Sequence, residues 1–248
     1  YRDNRAATAA VVAMLAYHWK IGTWQNNVDR YIALTEFSKQ KFIEGGLPAE
    51  KISVKPNFVR TDPGPGSGSG NYAIFVGRLS AEKGIQSLLD AWQILPGGLE
   101  LKILGDGPLA DQVAAAAAGD RRIEWLGRKS TDEVFAALGD AKFLIMPSVW
   151  YETFGLTMIE AYAKGTPVIA SRLGAMTELV TQNETGFLYE PGQAPELVKT
   201  IQQAIDQPDV LRRMRGAARS AYERNYSAAA NYGQLIKLYE RVIEDSRG

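Results

Sequence analysis

The sequence predicts an α/β protein whose main body is a doubly wound, Rossmann-like parallel sheet. Three observations lead there. From Tyr72 onward six short apolar runs recur: "YAIFVG" (72–77), "LELKILG" (99–105), "RIEWLG" (122–127), "KFLIMP" (142–147), "TPVIAS" (166–171) and "GFLYE" (186–190). Stretches of helical pattern separate them, among them "AEKGIQSLLDAWQIL", "TDEVFAALGDA" and "GLTMIEAYAKG". Strands alternating with helices of this length make βαβ units and a parallel sheet. The runs are continuously apolar rather than alternating, as expected of strands covered by helices on both faces.

The remaining elements follow in chain order. Residues 1–59 read as a helix over about 3–20, a strand "RYIAL", a helix "EFSKQKFIEGG" and a strand "KISVKPNFV". Two strands and two helices are too few for an α/β domain, so this part is expected to be the tail of an incomplete N-terminal domain whose earlier strands are absent. A start at Tyr1 rather than Met agrees with that reading. "RTDPGPGSGSGN" (60–71) is Pro, Gly and Ser with almost no apolar residue, and reads as a flexible linker too polar to bury. Residues 72–225 form the Rossmann-like body. Past "GFLYE" only helices follow, and the last, within 226–248, has an apolar face (Leu235, Leu238, Val242) expected to be exposed or engaged in a contact.

Composition excludes several classes of function. Lys+Arg and Asp+Glu both number 28, so there is no global pull toward nucleic acid or anionic membrane. There is no cysteine, hence no disulfide frame or thiolate chemistry, and the single histidine, His18, speaks against a His-cluster metal site. The most apolar early stretch, "AATAAVVAMLAYHW", falls short of the about 20 residues that span a bilayer.

Ligands of open parallel sheets bind outside the carboxyl ends of the strands. The residues there are Gly77-Arg78, Gly105-Asp106-Gly107, Gly127-Arg128-Lys129, Pro147-Ser148 and Ser171-Arg172-Leu173-Gly174. Glycine permits close backbone approach and the cations suit an anion, although glycines end strands in many α/β proteins. In "GRLSAEKG" (77–84), Arg78 follows the strand and Lys83 lies near the first turn of the next helix. Both can address an anion at that helix N-terminus, Arg with a planar fork and Lys as a point charge. The alternative is two solvated charges paired with Glu82 and Asp90. "GDGP" (105–108) fails the dinucleotide fingerprint, because Ala110 occupies the slot of the last glycine.

"ETFGLTMIEA" (152–161) places two carboxylates, Glu152 and Glu160, in an otherwise apolar segment. The helix is expected over about Gly155 to Lys164, with Glu152 in the loop before it and Thr153, Phe154 and Gly155 offering backbone N–H groups at its start. Glu160 then lies roughly 7.5 Å along the axis of a buried helix. A buried carboxylate must be paired or hydrogen-bonded. Sugar hydroxyls would serve; so would an internal salt bridge from Glu160 to Arg78, Arg128 or Arg172, and simple N-terminal charge pairing for Glu152.

"GRLSAEKG", "LKILGDGP", "FLIMPSVWYETFGLTMIEAYAKGTPVIAS" and "LVTQNETGFLYEPG" resemble, in order, the C-terminal half of retaining GT-B glycosyltransferases of the family 4 type (glycosyl transferases group 1). Glu152 to Glu160 matches that family's E-x7-E pattern, the resemblance runs from about Val54 to Asp206, and residues 1–53 resemble the end of its N-terminal domain. The resemblance implies a GT-B fold of two facing Rossmann-like domains, with a nucleoside-diphosphate sugar held mainly by the C-terminal one. In that picture Arg78 and Lys83 hold the diphosphate and stabilise the leaving nucleotide. Glu152 bonds the transferred sugar, and backbone of Phe154, Gly155 and Leu156, with the Gly77 loop, lines sugar and phosphates. Glu160 bonds the ribose and Arg128 lies beside the base. The implied reaction moves a sugar, with retained configuration, to a saccharide or lipid-linked acceptor in cell-surface polysaccharide or glycoconjugate synthesis. No cofactor and no metal is implied, because the Arg/Lys pair neutralises the diphosphate, and no nucleic acid is a partner. The implied location is cytoplasmic, the inner face of the membrane included, with any membrane association carried by the missing domain. The fragment alone is expected to bind donor and not to catalyse transfer. A nucleotide-sugar-binding module without chemistry, or a sugar-nucleotide epimerase on the same fold, stays open beside this reading; a phosphorylase would need a pyridoxal-phosphate lysine that nothing in the sequence identifies.

Overall fold

The computed structural model describes residues 4–245, which fall into two compact units. One holds the described residues up to Lys55 together with those from Gln234 onward; the other is Pro56–Gly233. In the first unit, the Asn4 side chain accepts the Ala7 N–H at 3.0 Å and starts α1 (Arg5–Lys20). After α2 (Thr23–Asn26) come β1 (Tyr31–Ala33), α3 (Glu36–Glu44), capped by Thr35, and β2 (Ile52–Val54), which runs parallel to β1 with Tyr31 opposite Ile52. Both strands are shorter than the apolar runs predicted. The second stops near Pro56, which has no N–H to give a ladder.

The second unit carries a six-stranded parallel sheet in the order β5-β4-β3-β6-β7-β8. Its strands are β3 (Tyr72–Val76), β4 (Glu100–Leu104), β5 (Ile123–Gly127), β6 (Phe143–Met146), β7 (Val168–Ser171) and β8 (Gly186–Tyr189). Each lies inside one of the six apolar runs. The residues of β6 and β7 are buried throughout, because helices cover both faces. Those helices are α4 (Ile85–Ile94), α5 (Ala110–Gly119), α6 (Thr131–Asp140), α7 (Leu156–Ala163), the single turn α8 (Met176–Leu179), α9 (Ala194–Ile205) and α10 (Pro208–Asn225). α6 begins with a capping box in which Ser130 and Glu133 exchange bonds; the hydroxyl and N–H of Ser130 pull the Glu133 carboxyl down to about 2. On one face of the sheet α4 packs on α9, with Trp92 and Leu88 of α4 fully buried; on the other α7 packs on α10. Each large apolar side chain buried this way contributes on the order of 2 kcal/mol.

Strand order reverses between β3 and β6: from β3 the chain winds out to β4 and β5, and from β6 to β7 and β8. The crevice at the carboxyl ends of these two strands is the topological switch point of the sheet, where such folds take ligands.

Two expectations are corrected. The segment 60–71 is not a free linker. Its backbone N–H groups at Gly66, Gly68 and Gly70 donate to the carbonyls of Lys164, Gly139 and Asp140 at 2.8–2.9 Å. Arg215 of α10, half-buried, ties it down from the other side, donating to the carbonyls of Ala141, Gly66, Gly139 and Lys164 at 3.0–3.4 Å. The small residues that read as flexibility serve close approach instead: a Cβ on Gly66 would stand 2.2 Å from the Gly139 backbone. On the final helix, α11 (Ala228–Asp245), Leu238 is buried and Leu235 and Val242 are partly covered, whereas Tyr232, Tyr239 and Ile243 are the exposed apolar residues. The covered face belongs to a helix whose Asp245 pairs with Arg30 of the first unit at 2.6 Å.

Because several part-buried carbonyls depend on one guanidinium, Arg215→Met is expected to lower unfolding free energy by about 3 kcal/mol in urea titrations. A loss of less than about 1 kcal/mol would show that the strap is held by its own backbone bonds.

Candidate functional site

The site is built from the loops that leave β3, β4, β5 and β6. Two close backbone approaches bring these loops together. Gly84 has a φ of 72°, and a Cβ there would fall 1.8 Å from the carbonyl oxygen of Pro147. Gly105, at φ 132°, lies equally close to the carbonyl oxygen of Gly77. Any side chain at either position would push the loops apart. Further bonds lock them: Leu79 N–H to the Asp106 carbonyl, Gly105 N–H to the Gly127 carbonyl, and Val149 N–H to the Glu82 carbonyl, all at 2.8–3.0 Å.

Lys83 and Glu152 meet across the switch point. The Lys83 ammonium donates to both carboxylate oxygens of Glu152, at 2.7 and 2.9 Å. Lys83 ends a 3₁₀ turn, Ala81–Lys83, that precedes α4, which places it near the first turn of that helix as predicted. Neither alternative pairing from the sequence forms. Glu82 accepts instead from the Ser80 hydroxyl at 2.6 Å, which is the main cause of its lowered pKa, and Asp90 accepts from Gln86. Glu152 also accepts a 2.6 Å bond from the hydroxyl of Ser148, a residue the sequence placed at the strand end without a role.

Arg78, Gly77 and Arg128 line a cleft of about 440 Å³ with Gly105, Asp106 and Gly107. Arg78 is exposed and forms no ion pair among the described residues. Arg128 is not free: its guanidinium stands 3.3 Å from Asp106, a residue the sequence placed at the strand ends without a role. A larger depression of about 590 Å³, between α4 and α5, is lined by Gln86, Gln93, Gln112, Asp120 and apolar residues and lies away from these loops.

α7 begins at Leu156, with Gly155 as its N-cap, one residue inside the predicted span. No side chain caps it, and the N–H groups of Gly155, Leu156 and Thr157 donate to no backbone carbonyl among the described residues. An uncapped helix start of this kind favours an anion. Phe154 is buried, its ring edge-on to Tyr226 at 6.1 Å, while Leu156 is exposed.

Glu160, five residues into α7, is half-buried and has neither a side-chain hydrogen bond nor an ion pair among the described residues. The salt bridge offered as an alternative does not form, since Arg128 is engaged by Asp106 and Arg172 by Glu190 at 3.3 Å. Burial alone pushes the Glu160 carboxyl up from its ordinary value.

A family profile for glycosyl transferases group 1 matches residues 64–221, well over half of the chain. The chain belongs to that family, and its fold is of the GT-B type. Among curated proteins it is 29% identical over 230 residues to an uncharacterised glycosyltransferase of Methanocaldococcus jannaschii, covering 92% of this chain and 63% of that protein. It is 28% identical to the phosphatidyl-myo-inositol mannosyltransferase of Mycobacterium leprae, covering 95% and 65%. It is also 35% identical to the D-inositol 3-phosphate glycosyltransferase of Corynebacterium efficiens, covering 68% and 42%. The chain thus spans less than two thirds of the length of these relatives. Solved structures that share the fold include Anabaena HepE in complex with UDP-glucose, at a TM-score of 0.77 and 22% identity over 86% of this chain and 64% of that one, and a glycosyltransferase of Rickettsia africae, at 0.79 and 21% over 91% and 67%. Among the described residues, no helix is long and apolar enough to cross a membrane.

Two outcomes follow from the geometry. Gly84→Ala is expected to cost about 3 kcal/mol of unfolding free energy, well beyond the roughly 1–2 kcal/mol that left-handed backbone alone costs a residue with a Cβ; Gly97→Ala, at φ 89° with open space around it, provides the backbone-only comparison. Glu160, its folded pKa raised, binds its proton more tightly folded than unfolded. The stability this confers is present below the unfolded value, about 4.3, and is lost as pH rises through the folded one. Glu160→Gln should therefore raise the unfolding midpoint at pH 7.5 and leave it nearly unchanged at pH 4; a midpoint that falls at pH 7.5 would reveal a partner for the carboxylate.

Proposed function

We propose that this chain is the donor-binding part of a retaining glycosyltransferase of the family 4 type, one that moves a sugar from a nucleoside-diphosphate donor to a saccharide or lipid-linked acceptor. The observation that carries the reading is the meeting of Lys83 and Glu152 at the switch point of the sheet. A cation for the diphosphate and a carboxylate for sugar hydroxyls stand within one hydrogen bond of each other, beside a cleft lined by Arg78. The uncapped start of α7 supplies N–H groups between them and Glu160.

In this reading, Arg78 and Lys83 neutralise the diphosphate and stabilise the nucleotide as it leaves, electrostatic work that is worth most where charge develops. Glu152 fixes the sugar through its hydroxyls. The half-buried Glu160, without a partner among the described residues, takes the ribose hydroxyls, which would satisfy it. Backbone of Gly77, Phe154, Gly155 and Leu156 lines sugar and phosphates, and Arg128 lies beside the base, held by Asp106. Support for a uridine donor comes from HepE, solved with UDP-glucose; support for a lipid-linked acceptor comes from the relative named a phosphatidyl-myo-inositol mannosyltransferase. Work at the cytoplasmic face of a membrane, in the synthesis of surface polysaccharide or glycoconjugate, belongs to the same proposal.

The test has two arms. A thermal-shift screen against UDP-, GDP-, ADP- and TDP-sugars is expected to stabilise the protein with one donor set, by about 2.7 kcal/mol at 100 times Kd. In the full-length protein, Arg78→Ala and Glu152→Ala are each expected to lower transfer about 100-fold or more. Unchanged turnover in both variants would sink the assignment, and a donor shift with no transfer by the full-length protein would leave a binding module.

A further inference from the structure

We propose that Ser148 is a positioning residue for the donor site: its hydroxyl holds the Glu152 carboxylate in place while Lys83 passes from that carboxylate to the diphosphate. The proposal rests on the donor reading above.

Lys83 cannot serve Glu152 and a diphosphate equally. Its ammonium is engaged by both oxygens of Glu152, whose side chain is only 14% exposed. Drawn toward phosphate, it would leave a largely enclosed carboxylate short of a donor, which costs free energy and frees the side chain to turn. A second donor that does not move removes both problems.

Ser148 has that character. It is 1% exposed and stands two residues past the end of β6. Its hydroxyl donates to one oxygen of Glu152 at 2.6 Å. Three successive residues are pinned from two elements, the turn after β3 and the end of β7: the Pro147 carbonyl lies against the backbone of Gly84, the Ser148 carbonyl accepts from the hydroxyl of Ser171, and the Val149 N–H donates to the Glu82 carbonyl. Ser171 is itself fully buried. The two donors on Glu152 are thus unlike in kind. Lys83 carries its charge on a flexible four-carbon stem, whereas Ser148 sits on backbone fixed by its neighbours on both sides. One donor can travel and the other cannot.

The experiment compares UDP with UDP-glucose, by calorimetry on the full chain, in wild type, Ser148→Ala and Ser148→Thr; if uridine nucleotides do not bind, the GDP, ADP and TDP pairs replace them. Ser148→Ala is expected to weaken the nucleotide-sugar on the order of 10-fold while leaving the bare diphosphate within about twofold, because the lost bond orients the carboxylate that meets the sugar. Ser148→Thr, which keeps the hydroxyl, is expected to restore sugar binding to within about threefold. Should Ser148→Ala fail to fold, Ser148→Cys, with its weaker donor, is expected to give the same split at smaller amplitude. Equal weakening of both ligands, no weakening of either, or failure of threonine to restore would overturn the positioning role. A wild-type protein that binds none of the nucleotides would instead overturn the donor reading on which it stands.

Discussion

The backbone of Gly84 lies against the carbonyl of Pro147, and the rest of the site is arranged around that approach. It joins the loop after β3 to the loop after β6 at the point where the sheet reverses its winding. Parallel strands leave a crevice there because their crossover helices diverge to opposite sides. A crevice by itself is only space. The glycine lets two loops from diverging halves share one wall, so that Lys83 from one and Glu152 from the other come within a hydrogen bond. Gly105 does the same for the loop after β4, set against Gly77.

The charged groups differ in how completely the protein satisfies them. Arg128 and Arg172 each have a carboxylate partner, and Lys83 and Glu152 have each other. Arg78 faces the cleft, and Glu160 has no side-chain hydrogen bond or ion pair among the described residues. A half-buried carboxylate without a partner is a cost to the fold, and costs of that kind collect where a ligand repays them. The proposed donor would meet all four of the groups at the switch point with complementary chemistry: phosphate for the two cations and hydroxyls for the two acids.

Much of this was legible in the sequence, and the residues show why some was not. Apolar runs located every strand of the large sheet; burial on both faces leaves that mark on every residue of β6 and β7, whereas β4 and β5 keep the exposed Glu100 and Glu124. The helix after "FLIMP" was placed to within a residue at each end. Family resemblance brought Glu152, Glu160, Arg78 and Lys83 forward as a set. What stayed hidden were pairings set by tertiary approach. Nothing in the spacing tells that Lys83 reaches Glu152, 69 positions away, rather than Glu82 beside it. Ser148 was visible as a strand-end residue, but the aim of its hydroxyl depends on packing. The segment 60–71 misled for a related reason: composition reports what glycine and serine prefer when exposed, and says nothing of the contacts that only residues so small permit.

That segment bears on where the chain can be cut. Proline- and glycine-rich stretches are the usual choice for trimming or joining a protein, because few contacts cross them. Here the composition marks residues 60–71, yet a break there would part the backbone bonds to Gly139, Asp140 and Lys164 and leave the Arg215 guanidinium without one of its carbonyls. The compact unit starts at Pro56, before the strap. An insertion or a truncation tolerated on the amino-terminal side of Pro56 would therefore not be tolerated ten residues later, in the stretch that looks more permissive.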